Sequence, residues 1–283
     1  MIIERNLGSW SEFRAVIDEI RQTYGYHEYL VGNTQTYKEK NIVLFRGQAS
    51  TQWLLETTLE RKTDKKFTLV QYLSKATKIV HELESYMGIK WNLLDIPDLQ
   101  QEIIKKSDDL FGPFLPCYEY LVYLRHHGYP SPLLDWSESP YIAAYFAMCD
   151  AYQKRLLPDQ RVAVFVYIES LDGTKSFDGG PLIKVKGPFV STHKRHFIQK
   201  AWYTIAAKWS AEHQEFSFCS HHEIFDKPPS IYNQDKLIKI TIPVADRKLA
   251  LKDLDDYNIN HFTLFQTEDS LIKALSIKNF DID

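Results

Sequence analysis

The chain has 283 residues, of which 44% are hydrophobic and 25% charged. That length and balance bury a substantial core and exclude an intrinsically disordered chain. Lys+Arg 34 against Asp+Glu 37 leave a net charge of −3, so no global basic excess marks a nucleic-acid binder. No run approaches the roughly 18 apolar residues of a membrane span. Met1 to Arg5 leads into polar Asn6-Leu7-Gly8-Ser9, without the apolar core of a secretion signal. Cys117, Cys149 and Cys219 are odd in number and widely spaced. They form neither a disulfide framework nor a CxxC pair, which points to a reducing, cytoplasmic setting with Cys149 as a small core residue. The aromatic fraction of 14% is read as a dense core.

In chain order, Ser9 or Ser11 caps a first helix, Phe13 to Tyr24, and Gly32-Asn33-Thr34 is a loop. Ile42-Val43-Leu44-Phe45 is a buried strand that delivers Arg46 to its end. Thr68 to Met87 predicts one amphipathic helix, with apolar residues at spacings of three and four, closed by Gly88. Leu93 to Asp109 is a polar arm with a short helix. Pro113 and Pro116 precede a helix from Tyr118 to His127, stopped by Gly128 and Pro130. Ser139 caps a helix from Tyr141 to Tyr152, apolar almost all round in its first half and so expected to cross the core. Strands follow at Arg161 to Glu169, Ile183 to Lys186, Glu215 to Cys219 and Leu237 to Ile242. Late helices follow at Asp246 to Tyr257 and Thr267 to Ile277. Helices early and strands late predict an α+β fold. We read one domain over residues 1–283, with its core at about 40–275 and residues 1–39 as an N-terminal helical addition.

Two clusters carry candidate chemistry. In Phe45-Arg46-Gly47-Gln48 a strand-end guanidinium suits phosphate or carboxylate, Gly47 permits close approach or positive φ, and Gln48 adds an amide. The plainer alternative, a strand-end arginine that pairs with a core carboxylate, is favoured on the tripeptide alone. The second cluster runs from Arg125 to Pro140 and holds His126, His127, Asp135, Trp136 and Glu138 in a Pro-pinned loop between two apolar helices. Asp135 and Glu138 suit acid/base work, although Asp135 can equally cap the next helix and His126 can be a satisfied core histidine. Adjacent histidines do not share a helix face, so the metal reading is weak and we assign no metal residues.

These blocks resemble the FRG domain family, named for its (F/Y)RG motif. The likeness runs through Ile42 to Gln48, Trp53-Leu54-Leu55, Thr58-Leu59-Glu60-Arg61, Leu133-Leu134-Asp135-Trp136-Ser137, Ser139-Pro140 and Ala143-Ala144-Tyr145-Phe146-Ala147. It continues in Arg195-His196-Phe197-Ile198-Gln199, in Tyr203-Thr204 and in a tail from Ile259 to Phe265 with Asp269 and Leu271. Departures are Arg125 where Gln is usual, Ser131-Pro132 in place of Thr-Arg, and Ala201-Trp202 where Gly often occurs. Lys194 or Arg195 would then compensate for the missing cation.

The layout further resembles the ADP-ribosyltransferase superfamily. That likeness implies mixed or antiparallel sheets with flanking helices, and NAD as substrate. Arg46, Gly47, Gln48, Trp136, Ser137, Arg195 and Thr204 would then bind ligand, with Trp136 or Tyr141 as the nicotinamide platform. Asp135, Glu138, Gln199 and His126 would be the catalytic candidates. Gln199 has no charge for an oxocarbenium-like ribose, so a carboxylate must supply it. The first reading is an ADP-ribosyltransferase or NAD glycohydrolase in a bacterial toxin or phage-defence setting, with an unknown macromolecular target. The second is a non-catalytic module sensing a nucleotide or phosphate, and the third a metal-dependent nucleic-acid hydrolase.

Overall fold

The computed structural model describes residues 2–31, 35–105, 115–153, 156–157, 159–170, 175, 180–191, 194–210, 212, 214–226 and 235–282. Its strands are Ile2–Asn6 (β1), Tyr26–Val31 (β2), Gln35–Lys40 (β3), Ile42–Gln48 (β4), Leu134–Ser137 (β5), Arg161–Glu169 (β6), Leu182–Lys186 (β7), Ala201–Ser210 (β8), Glu215–Phe218 (β9) and Lys236–Pro243 (β10). Its helices are Phe13–Tyr24 (α1), Thr58–Lys62 (α2), Leu69–Thr77 (α3), Val80–Met87 (α4), Ile96–Lys105 (α5), Tyr118–His126 (α6), Pro140–Gln153 (α7), Lys194–Ile198 (α8), His221–Asp226 (α9), Arg247–Asp256 (α10), His261–Phe265 (α11) and Glu268–Ile277 (α12).

One eight-stranded sheet runs β1-β10-β6-β4-β5-β8-β7, with β9 paired to β8, while β2 and β3 form a separate hairpin. The sheet is mixed because β1 lies parallel to β10 and the other pairs are antiparallel. With helices on its faces this is the expected α+β class. β6 sits near the middle and is buried on both faces, which is why it reads as an unbroken apolar run. Its Val162, Val164, Val166 and Ile168 pack with α1, α7 and α10. Its Ala163, Phe165 and Tyr167 pack with Leu44, Trp136 and Phe225 on the opposite face. A further cluster sets α3, α5 and α6 against Tyr203, Ile205 and Ala207 of β8. Cys149 is buried in α7, which crosses the core as its apolar composition predicts.

Several expectations are corrected. The N-terminal stretch is not purely helical, because β1 joins the main sheet and β2 and β3 follow α1. Neither Ser9 nor Ser11 caps α1; their hydroxyls face each other at 2.5 Å, and Glu12 instead accepts from the Gly8 amide at 3.2 Å. The single helix expected over Thr68 to Met87 is two, α3 and α4. Thr77 Oγ1 donates back to the Leu73 carbonyl at 2.9 Å, a local bond that competes with continued helix where α3 ends. Thr68 begins α3 through a reciprocal cap with Gln71, and Gly88 ends α4 at φ 68°. Arg46 lies inside β4 rather than beyond it, and Asp135, Trp136 and Ser137 form β5 instead of a loop. The loop at 32–34, the end of the arm at 106–109 and Pro113 lie outside the described residues.

Candidate functional site

The site begins where the sheet comes apart. β4 is in register with β6 along its whole length, and β5 with β8, but β4 and β5 meet only at Phe45–Ser137. A crevice opens between them. Strand alternation turns Phe45, Gly47, Asp135 and Ser137 to one face, with Ala201 and Tyr203 beside them. Leu44, Leu134 and Trp136 pack in the opposite layer.

Helix α7 roofs the crevice because Gly47 lets it come close. A Cβ on Gly47 would lie 1.8 Å from the Ala143 carbonyl oxygen and 2.8 Å from the Ala147 nitrogen. Gly47 is therefore required for helix–strand packing, and its φ is not positive. The last turn of α6 brings Arg125 and His126 to the rim. From the other side, Ser137 Oγ donates to the Gln199 carbonyl at 2.7 Å and accepts from the Ser139 amide at 3.0 Å. This holds the α8–β8 turn, where Lys200 adopts φ 46°. Ser139 Oγ also accepts from the Ile142 amide at 3.3 Å and so caps α7 as expected.

The result is a cavity of about 280 Å³. Arg46, Arg125, Arg195 and His126 line it together with Asp135 and Asp150, and Phe45, Phe146, Phe265 and Tyr203 supply aromatic wall. Its volume stands at the lower edge of the ~300–1,000 Å³ of ordinary ligand sites. Arg125 forms an ion pair with Asp135 through Nη2 and Oδ2. Arg46 Nη1 donates to the Asp135 carbonyl at 2.8 Å, linking β4 to β5 where the backbone ladder is missing. Burial pulls the Arg46 guanidinium down to about 10, with Arg125 and Arg61 adding to the fall and Asp135 opposing it. The Nε atoms of Arg46 and Arg125 are buried with no hydrogen-bond partner among the described residues. Arg195 lies 5.3 Å over the Phe265 ring.

Arg46, Gly47, His126, Asp135, Trp136, Ser137, Arg195 and Gln199 thus converge. Gln48, Glu138 and Thr204 do not line the cavity. Gln48 is buried and donates to the Leu54 carbonyl at 3.1 Å. Glu138 is exposed, and its backbone amide donates to the Lys200 carbonyl at 3.0 Å. Thr204 accepts from Trp136 Nε1 at 2.8 Å and meets His221 Nε2 at 2.9 Å in the opposite layer. That indole bond fixes Trp136 as a packed wall residue. Tyr141 stacks edge-on to Phe13, away from the cavity. Gln199 Nε2 donates to the Leu264 carbonyl at 3.1 Å, joining α11 to the site.

Sequence reasoning missed Asp150, Phe146, Tyr203 and Phe265 as lining residues. Ala143, Phe146 and Asp150 stand three and four residues apart, so one face of α7 presents all three. That spacing was the available signal. In the sequence Arg125 stands out only as a departure from the family pattern. Among the described residues, no group of three His, Cys, Asp or Glu is placed to hold a metal ion, and no helix is long and apolar enough to cross a membrane.

Residues 41–155 match the family model of the FRG domain. The matched segment includes β4, β5, α6 and α7, and with them Arg46, Gly47, Arg125, His126, Asp135 and Asp150. Arg195, Gln199, Tyr203 and Phe265 complete the cavity from beyond it. No curated protein and no solved structure matches the chain.

Proposed function

We propose that this FRG-domain protein binds a nucleotide of the NAD or ADP-ribose type in the crevice between β4 and β5. One observation carries the reading: arginines from β4, α6 and α8 converge on a small cavity with aromatic walls. Guanidinium groups suit phosphate oxygens, and the rings of Phe146, Phe265 and Tyr203 suit a base. β4 and β5 pair only at Phe45–Ser137, so the crevice lies where the backbone ladder between them is interrupted.

Arg195 is the probe, because Arg46 bridges two strands and Arg125 is paired with Asp135. Arg195→Ala is expected to weaken binding of ADP-ribose by about 1.5–3 kcal/mol, the worth of a hydrogen bond to a charged group. Thermal-shift titration with NAD, ADP-ribose and ATP checks this. Folded wild-type protein that shifts with none of them would remove the nucleotide reading.

Turnover of NAD is the second reading, favoured by the Asp135 carboxylate at the cavity wall. Loss of nicotinamide builds positive charge on the ribose, and a carboxylate there lowers the barrier. Binding without turnover takes precedence, because Asp135 is paired with Arg125 and Glu138 lies elsewhere. We expect no nicotinamide release from NAD in the wild type. Arg125→Gln unpairs the carboxylate. If release appears in that variant and Asp135→Asn then abolishes it, the transferase or glycohydrolase reading replaces simple binding.

A further inference from the structure

The nitrogen positions around Tyr203 fix more than the cavity's shape. His196 is buried, and its Nε2 lies 3.0 Å from the Pro188 carbonyl oxygen. A carbonyl only accepts, so Nε2 carries the hydrogen. In neutral His196 the lone pair is then on Nδ1, which lies 3.2 Å from the Tyr203 hydroxyl. Tyr203 donates its proton to that nitrogen. Its oxygen is left to accept, and His126 Nε2 stands 2.8 Å away. Each bond dictates the next: His126 Nε2–H to Tyr203, Tyr203 O–H to His196, His196 Nε2–H to Pro188. Burial supports this order, since it lowers the pKa of His196 and raises that of the Tyr203 phenol far above its ordinary value.

Neutral His126 therefore has its lone pair on Nδ1, and protonation adds a second N–H without disturbing the chain. His126 and Tyr203 both line the cavity. We propose that His126 is a proton-switched anion-binding residue of this cavity, contacting ligand phosphate through Nδ1–H, and that Tyr203 and His196 are the positioning residues that hold it in that tautomer. The proposal rests on the anionic-ligand reading above and adds the group that makes binding depend on pH.

Among the described residues, the ionisable groups that line the cavity with His126 are arginines, aspartates and Tyr203. Arg125 on its own helix, Arg46 from β4 and Arg195 from α8 place three guanidinium groups on the same wall. Asp135 from β5 and Asp150 from α7 add two carboxyl groups. His196, already in the chain of bonds, lies 6.3 Å from the His126 ring, and His127 is the imidazole next in sequence; it is exposed and does not line the cavity. It is also the control variant.

Histidine ring nitrogen NMR on the full chain tests the proposal without requiring a nucleotide. Neutral His126 should be the Nε2–H tautomer. Sulfate, whose charge is constant across this range, should raise its titration midpoint, because anion binding and protonation strengthen each other by the same factor. ADP-ribose is the second probe, since its pyrophosphate diester also keeps its charge. Its affinity should rise about tenfold as pH falls from roughly 8 to 5.5, the effect of one added charge-assisted hydrogen bond. His126→Gln should flatten that rise and His127→Gln should leave it. Tyr203→Phe, with the ring kept, should displace the midpoint of the profile and disturb the His126 tautomer. If sulfate moves the His126 midpoint while ADP-ribose does not bind, the proposal stands and the nucleotide reading falls. A neutral Nδ1–H tautomer, an unmoved midpoint with both anions, or an unchanged pH profile in His126→Gln would overturn the proposal.

Discussion

Gly47→Ala is expected to destabilise the protein by about 3 kcal/mol or more, lowering the thermal midpoint by roughly 6–12 °C. The added methyl would meet backbone, the Ala143 carbonyl at 1.8 Å and the Ala147 nitrogen at 2.8 Å. A flexible side chain could swing aside, but a helix carbonyl cannot without moving the helix. Helix α7 would have to lift from β4, and Ala143, Phe146 and Asp150 would leave the cavity wall with it. Ligand binding should therefore fall together with stability. Gly128→Ala is the contrast. A Cβ there meets nothing within 4 Å, and only its φ of +84° resists substitution, at about 1–2 kcal/mol. Thermal unfolding of the two variants separates collision from backbone strain. A Gly47→Ala midpoint within a degree or two of wild type would mean that the helix moves freely on the strand.

Much of this architecture was legible because local pattern and tertiary role agree. The run from Arg161 to Glu169 is apolar on both faces and became the central strand, and α1 was readable from its spacing to both ends. The convergence of Arg46, His126 and Asp135 was legible from motif blocks, since these residues break the periodicity of core faces. Hidden features are those set by contacts distant in sequence. β5 spans only Leu134–Ser137, too short for a period, and is defined by register with β8. β2 and β3 are polar ribbons whose alternation carries little hydrophobic signal. The purpose of Gly47 was invisible because the helix that needs it begins ninety or so residues later in the chain. Glu138 illustrates the reverse error. It neighbours Ser137 and Ser139 in sequence, but the chain turns into α7 just there and leaves it exposed outside the cavity. Proximity in sequence to a motif does not fix the side on which a carboxylate emerges.

Lys186→Met is expected to stabilise the protein by about 1–4 kcal/mol near pH 7, the range found when buried ionic groups give way to apolar side chains. Lys186 lies on β7 in register with Tyr203 of β8 and has no exposed surface. Burial pushes its ammonium down to about 7, the charge of Lys184 pushes the same way, and Glu169 opposes them. The unfolded chain keeps this proton up to about 10.5. Between those two values the unfolded state binds more protons than the folded one, so the residue's contribution to stability rises with pH across the window. Below about 7 the folded protein carries the full desolvation penalty, and above 10.5 it carries none. Methionine has similar length and no charge, so it removes the penalty and fills the same space. The advantage of Lys186→Met should therefore be largest at pH 6.5 and shrink by pH 9.5, as read from thermal midpoints of both proteins at each pH. A variant less stable than wild type at both values would instead mean that interactions of the ammonium outweigh the cost of burying it.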